Sequence, residues 1–157
     1  MSIISFIKEA GEKLFGHKEV AAAAAPDVDA LNKTAADAIT AYINTQNLKV
    51  EGLDVAFDGA TGTVSVAGEA VDQATREKVV LCCGNVSGVT QVDDAMTVAE
   101  PADESRWYTV VRGDTLSAIA KSQYGNANQY PKIFEANKPM LTSPDKIYPG
   151  QVLRIPV

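Results

Sequence analysis

The last fifty residues, Tyr108 to Val157, constrain the fold more than any other stretch, because their turns, caps and apolar positions all fit one small arrangement. Tyr108 and Val110 alternate as on a half-buried strand. Gly113-Asp114-Thr115-Leu116 then supplies turn chemistry and a helix cap at Asp114 or Thr115, and Leu116, Ile119 and Ala120 recur at helical spacing. Gly125 is placed to stop that helix. Ile133, Phe134, Ala136 and Asn137 mark a second helix, Pro139 and Pro144 stiffen a long return loop, and Val152 to Ile155 reads as a closing strand. The expected order is βααβ, with Trp107 at its entrance.

Residues 107 to 156 thereby resemble a LysM domain, a module of a family that binds N-acetylglucosamine polymers such as peptidoglycan and chitin. The resemblance implies a sugar site on the Gly113 to Leu116 loop and the Asn137 to Tyr148 return, with Gly113, Asp114, Thr115, Leu116, Asn137 and Ile147 as its residues. The plainer alternative is that Gly113 and Asp114 serve turn and cap while Leu116 and Ile147 fill the core; fold alone does not choose between them.

The 157 residues suit two small domains, and the pattern shifts near residue 100. A net charge of -6 argues against a nucleic-acid backbone as partner and favours cations. The charge is uneven: residues 1 to 102 carry 7 Lys and Arg against 15 Asp and Glu, and residues 103 to 157 carry 7 against 5, so opposite signs weakly favour docking of the halves. No segment has the apolar length of a membrane span. Lys8, Glu9, Glu12, Lys13, Lys18 and Glu19 interrupt what could pass for a signal peptide before Ala21 to Ala25, so a cytoplasmic protein is expected, as a monomer. Cys82 and Cys83, adjacent and apolar-flanked, suit reduced buried thiols.

Before residue 100 the spacing of Ile3, Phe6, Ile7, Ala10 and Leu14 predicts an amphipathic helix over residues 3 to 15, with Gly11 as a weak point. Residues 16 to 33 read as a connector, and Thr34-Ala35-Ala36-Asp37 as the start of a helix over 34 to 46 with Ala35, Ala38, Ile39, Tyr42 and Ile43 on one stripe. Leu53, Val55 and Phe57, then Asp58 to Gly62, then Val64 and Val66 predict a β-hairpin that Gly68 ends. Asp72 is placed to cap a helix through Cys83, Gly84 to close it in the left-handed conformation, and Val89 to Val98 to form a last strand. That αββαβ order, with Gly68-Glu69-Ala70 and the run Gly84 to Asp94, resembles a BON domain. The expected class is therefore α+β: residues 1–33 a helix and connector, 34–99 BON, 100–106 a linker, and 107–157 LysM.

Catalysis is not expected. The single His17 lies in the connector, and no nucleophile elbow, phosphate loop or Cys/His cluster is present. Asp93 and Asp94, adjacent on a strand, would face opposite ways and read as a solvated pair. The arrangement as a whole, a Phe6 to Phe15 segment followed by BON and LysM, resembles the bacterial potassium-binding proteins that combine these modules. Membership would imply K+ held by main-chain carbonyls, here those of Ile7, Ala10, Glu12, Gly84, Val86 and Val89, in a K+ sensor or buffer linked to salt stress that compacts on binding. The plain alternative leaves Gly11 an exposed helix glycine and Gly84 to Gly88 a simple turn. Two other readings stay open: a cell-envelope protein binding a peptidoglycan fragment, and a BON-mediated membrane or protein scaffold.

Overall fold

The computed structural model describes residues 2–5 and 28–157. The amphipathic stripe from Phe6 to Leu14, Gly11 and His17 lie outside them. The elements are β1 (Ser2–Ser5), α1 (Val28–Thr45), β2 (Val50–Asp58), β3 (Thr63–Asp72), α2 (Gln73–Gly84), β4 (Gln91–Asp94), β5 (Thr97–Glu100), β6 (Arg106–Thr109), α3 (Leu116–Tyr124), α4 (Tyr130–Ala136) and β7 (Val152–Ile155), an α+β fold.

The first module is a mixed sheet in the order β1-β4-β3-β2, with β5 also on β3. Period-2 alternation sends Val64 and Val66 into the core and leaves Ser65 exposed. On the buried face Ile39 and Ile43 of α1 and Val79, Val80 and Cys83 of α2 complete one cluster with them. Burying each such aliphatic side chain contributes about 1.5–3 kcal/mol.

Ser2–Ser5 is not the start of a helix: it is a strand antiparallel to β4, with Ile3 opposite Asp93 and Ser5 opposite Gln91. Two consecutive β-branched isoleucines favour a strand, and β4 offers them an otherwise unpaired edge. Helix α1 opens at Val28, inside the expected connector, and the Thr34 hydroxyl donates back to the Ala30 carbonyl at 2.9 Å, an interior bond that Thr makes within a helix and not at its cap. Strand β3 runs through Gly68, which marks the irregular register between Glu51 and Asp54; at φ +135 a Cβ there would come within 2.8 Å of Val50 Cγ1. The expected last strand is two, because β4 pairs with the first half of β3 and β5 with the second. Asp94 secures the break between them, its Oδ1 accepting from the Met96 amide at 2.9 Å.

The second module pairs β6 antiparallel with β7 around a core of Leu116, Ile119, Ala120, Ile133, Leu141, Leu153 and Ile155. Thr115 caps α3 by accepting from the Ala118 amide, and Gly125 ends it at φ 76. The two modules meet along β7. Its alternation places Leu153 and Ile155 in the second core and Val152 in the first, with Trp107 and Met140 packed beside it.

Candidate functional site

Asp72 opens α2, its carboxylate accepting from the Thr75 amide at 2.7 Å. Hydrogen bonding to Thr75, first with its side chain and then with this amide, holds the Asp72 carboxyl below its ordinary range. The helix ends at Gly84 in helical conformation, with Asn85 as cap at φ -83 and its amide bonded to the Leu81 carbonyl. The left-handed closure expected of Gly84 is thus absent; the positive φ falls on Gly88, at +100. In the same loop Val86 and Val89 are fully buried, and the Val89 amide donates to the Val86 carbonyl at 3.1 Å. With both valine side chains in the core, Val86 and Val89 can offer a ligand only their main-chain groups.

The loop is fastened on two sides. Thr90 donates from its amide to the Gly62 carbonyl at 2.7 Å and from its hydroxyl to the Thr61 carbonyl at 2.7 Å. Gly62, at φ +70, lies so near that a Cβ on it would meet the Gly88 carbonyl oxygen at 2.9 Å. On the other side the Asn85 side chain reaches the second module, bonding both backbone groups of Val152.

Of the six carbonyl residues expected to hold an ion, Gly84, Val86 and Val89 share this loop; Ile7, Ala10 and Glu12 lie outside the described residues. The register of β1 bears on them: Ser5, from which the chain continues toward Ile7, sits opposite Gln91, two positions beyond Val89. Neutral carbonyls at a helix C-terminus, carrying partial negative charge, are a donor set suited to K+, whereas divalent ions favour carboxylates. Among the described residues no three His, Cys, Asp or Glu side chains converge on a metal position.

The nearby ionisable groups are occupied otherwise. Asp94 is buried, not solvated, and pairs with Arg76 at 3.0 Å, while Oδ1 of Asp93 is buried with no hydrogen-bond partner among the described residues. Burial pushes the Cys82 thiol up to about 12 and the Cys83 thiol well above its ordinary value, so both stay protonated and inert as nucleophiles at neutral pH.

The sugar-site residues separate. Thr115 and Leu116 line a groove of about 250 Å3 with Ser117, Tyr130, Pro144 and Asp145. Leu116 is buried and Ile147 packs against the same core. Asp114 accepts from the Tyr108 hydroxyl at 2.6 Å and the Val111 amide at 2.9 Å, and Gly113 turns the chain at φ +91. Asn137 is 2% exposed, and its amide is taken up by the Ile133 carbonyl and by both backbone groups of Arg154. Sequence reasoning missed Tyr130, whose partial exposure beside the groove has no periodic signature, and Asn85, whose partner is 67 residues away.

Comparison with known proteins matches a BON domain to residues 32–100 and a LysM domain to residues 108–156. The potassium binding protein Kbp of Escherichia coli O6:H1 is 47% identical over 163 residues, covering 99% of each chain. An uncharacterized protein of Deinococcus radiodurans is 41% identical over 75 residues, covering 46% of this chain and 29% of that one.

Proposed function

The chain belongs to the bacterial BON and LysM family that includes the potassium binding protein Kbp, and from that membership we propose a cytoplasmic, non-enzymatic protein that binds K+ as a sensor or buffer in salt stress. The ion is held by the carbonyl oxygens of Ile7, Ala10, Glu12, Gly84, Val86 and Val89, joins the N-terminal segment to the BON domain, and favours a more compact molecule. The observation that most supports this reading is the β1 register, which starts the chain toward Ile7 beside the end of the Gly84 to Val89 loop. The acidic balance of residues 1 to 102 adds a long-range attraction for cations.

Calorimetric titration with KCl, and separately with NaCl, tests it, at constant ionic strength set by a bulky organic cation. Saturation at a single ion per chain, tighter for K+, is expected; absence of saturable K+ binding by folded protein would sink the proposal. Glu12→Gln is expected to keep most of the affinity, because its carbonyl and not its carboxylate is the ligand. The groove at Thr115, Leu116 and Tyr130 favours a second reading, a LysM domain that takes a peptidoglycan fragment. Co-sedimentation with insoluble peptidoglycan, lost in Tyr130→Ala, would establish it.

A further inference from the structure

In the antiparallel β6–β7 pair, alternate residues of β7 turn their N–H and C=O groups away from β6. Val152 and Arg154 are those residues, and an asparagine side chain closes each. Asn137, from within the LysM domain, accepts from the Arg154 amide at 2.8 Å and donates to its carbonyl at 2.9 Å. Asn85, from the BON domain, accepts from the Val152 amide at 3.0 Å and donates to its carbonyl at 2.9 Å. A primary amide presents a donor and an acceptor side by side, as a neighbouring strand would. The edge of the LysM sheet is therefore completed by a residue of the BON domain.

Asn85 is also the second residue of the Gly84 to Val89 loop and the cap of α2, with its own amide on the Leu81 carbonyl at 2.9 Å. Its backbone helps set the path of the loop while its side chain is held by β7. Val86, the next residue, is fully buried, so the loop between these anchors has little room to shift without disturbing one of them.

We propose that Asn85 is a positioning residue that couples ion binding in the Gly84 to Val89 loop to docking of the LysM domain. This rests on the proposed carbonyl site for K+. Docking holds the loop in the conformation that receives the ion, and by linkage the ion strengthens the Asn85 clamp on Val152 by the same factor.

Two measurements on the full chain decide it: KCl titration of wild type and Asn85→Ala, and amide exchange at Val152 in the wild type with and without K+. Asn85→Ala is expected to weaken K+ binding about fivefold or more, the lower end of typical coupling. In the wild type K+ is expected to slow exchange at Val152 more than at Leu153, which pairs with Tyr108 inside the sheet. Unchanged K+ affinity in Asn85→Ala, with the wild type binding normally, overturns the coupling and leaves the K+ site standing. Exchange at Val152 that ignores K+ does the same, and decides the matter alone if the variant does not fold. A wild type with no saturable K+ binding removes the site itself and the coupling with it.

Discussion

A single added methyl group is a sharp probe of the loop. At Gly62 a Cβ would stand 2.9 Å from both the Gly88 carbonyl oxygen and the Thr90 hydroxyl, on a residue at φ +70. The first of these atoms is backbone and cannot rotate away. Gly62→Ala is therefore expected to cost about 1–3 kcal/mol and to weaken K+ binding in calorimetry, although Gly62 supplies no proposed ligand. Asp72 offers a test by pH. Its carboxyl is held below its ordinary value of 3.8, first by the side-chain bond with Thr75. Its charge thus contributes stability that is present above that value and is lost as pH falls through the lower folded one. Asn caps a helix about as well as Asp but does not titrate. Melting temperatures of wild type and Asp72→Asn should differ at neutral pH, and the difference should shrink progressively as pH falls below that ordinary carboxylate value toward the lower folded one. Residues of this kind were legible in the sequence when their partner lay within a turn, as for Asp72 with Thr75 and Thr115 with Ala118. Gly84 was misread because a glycine after a helix can close it in either hand, and only the path of the following Asn85 decides.

Helix α2 and strand β7 are where the two domains become one object. Glu77 in α2 is 3% exposed, and its carboxylate takes the Arg154 Nε at 2.8 Å, the Ser105 amide at 2.8 Å and the Ser105 hydroxyl at 2.9 Å. Removing one partner of such a buried pair leaves an uncompensated charge and costs about 3–5 kcal/mol. Glu77→Ala is expected to turn one cooperative thermal transition into two, BON and LysM melting separately in calorimetry. A single transition at the wild-type temperature would show that the pair contributes nothing to docking. The elements themselves were largely legible because each is specified locally: the stripe of α1, the Asp58 to Gly62 turn, the Gly125 stop. Their partners were not. Ile3 fits a helical stripe with Phe6 and Ile7 as well as it fits a strand, and the open edge of β4 that selects the strand comes from residues nearly ninety positions on. Arg154, in a strand that reads as Val-Leu-Arg-Ile, carries no sign in the sequence that its charge is buried against another domain. The proposed carbonyl site came only from whole-chain resemblance, because main-chain ligands impose almost no side-chain pattern.

Across the whole molecule, energies limit how far an ion can change shape. A ligand present at a hundredfold its Kd stabilises the bound form by about 2.7 kcal/mol, a shift of about a hundredfold in an equilibrium. K+ can therefore drive a visible compaction only if the ion-free protein holds docked and undocked forms within about that range. The docked form has the Glu77–Arg154 pair, the Asn85 clamp and the packing of Val152 and Trp107 on the BON core. Against it stand the rotational freedom of a separate LysM domain and the desolvation of Glu77 and Arg154, terms large enough to bring the balance near even. The protein contains its own reporter of that balance. Trp107 is its sole tryptophan, half-buried at the junction of the two domains. Undocking exposes the indole to water, so Glu77→Ala should red-shift its emission, and K+ added to ion-free wild type should blue-shift it in a saturable curve. The midpoint should match the calorimetric Kd, and NaCl should require higher concentration. An emission spectrum that ignores K+ while calorimetry records binding would mean that the docked form already dominates without the ion. The protein would then be a K+ buffer with a preformed site, and the sensor reading would fall.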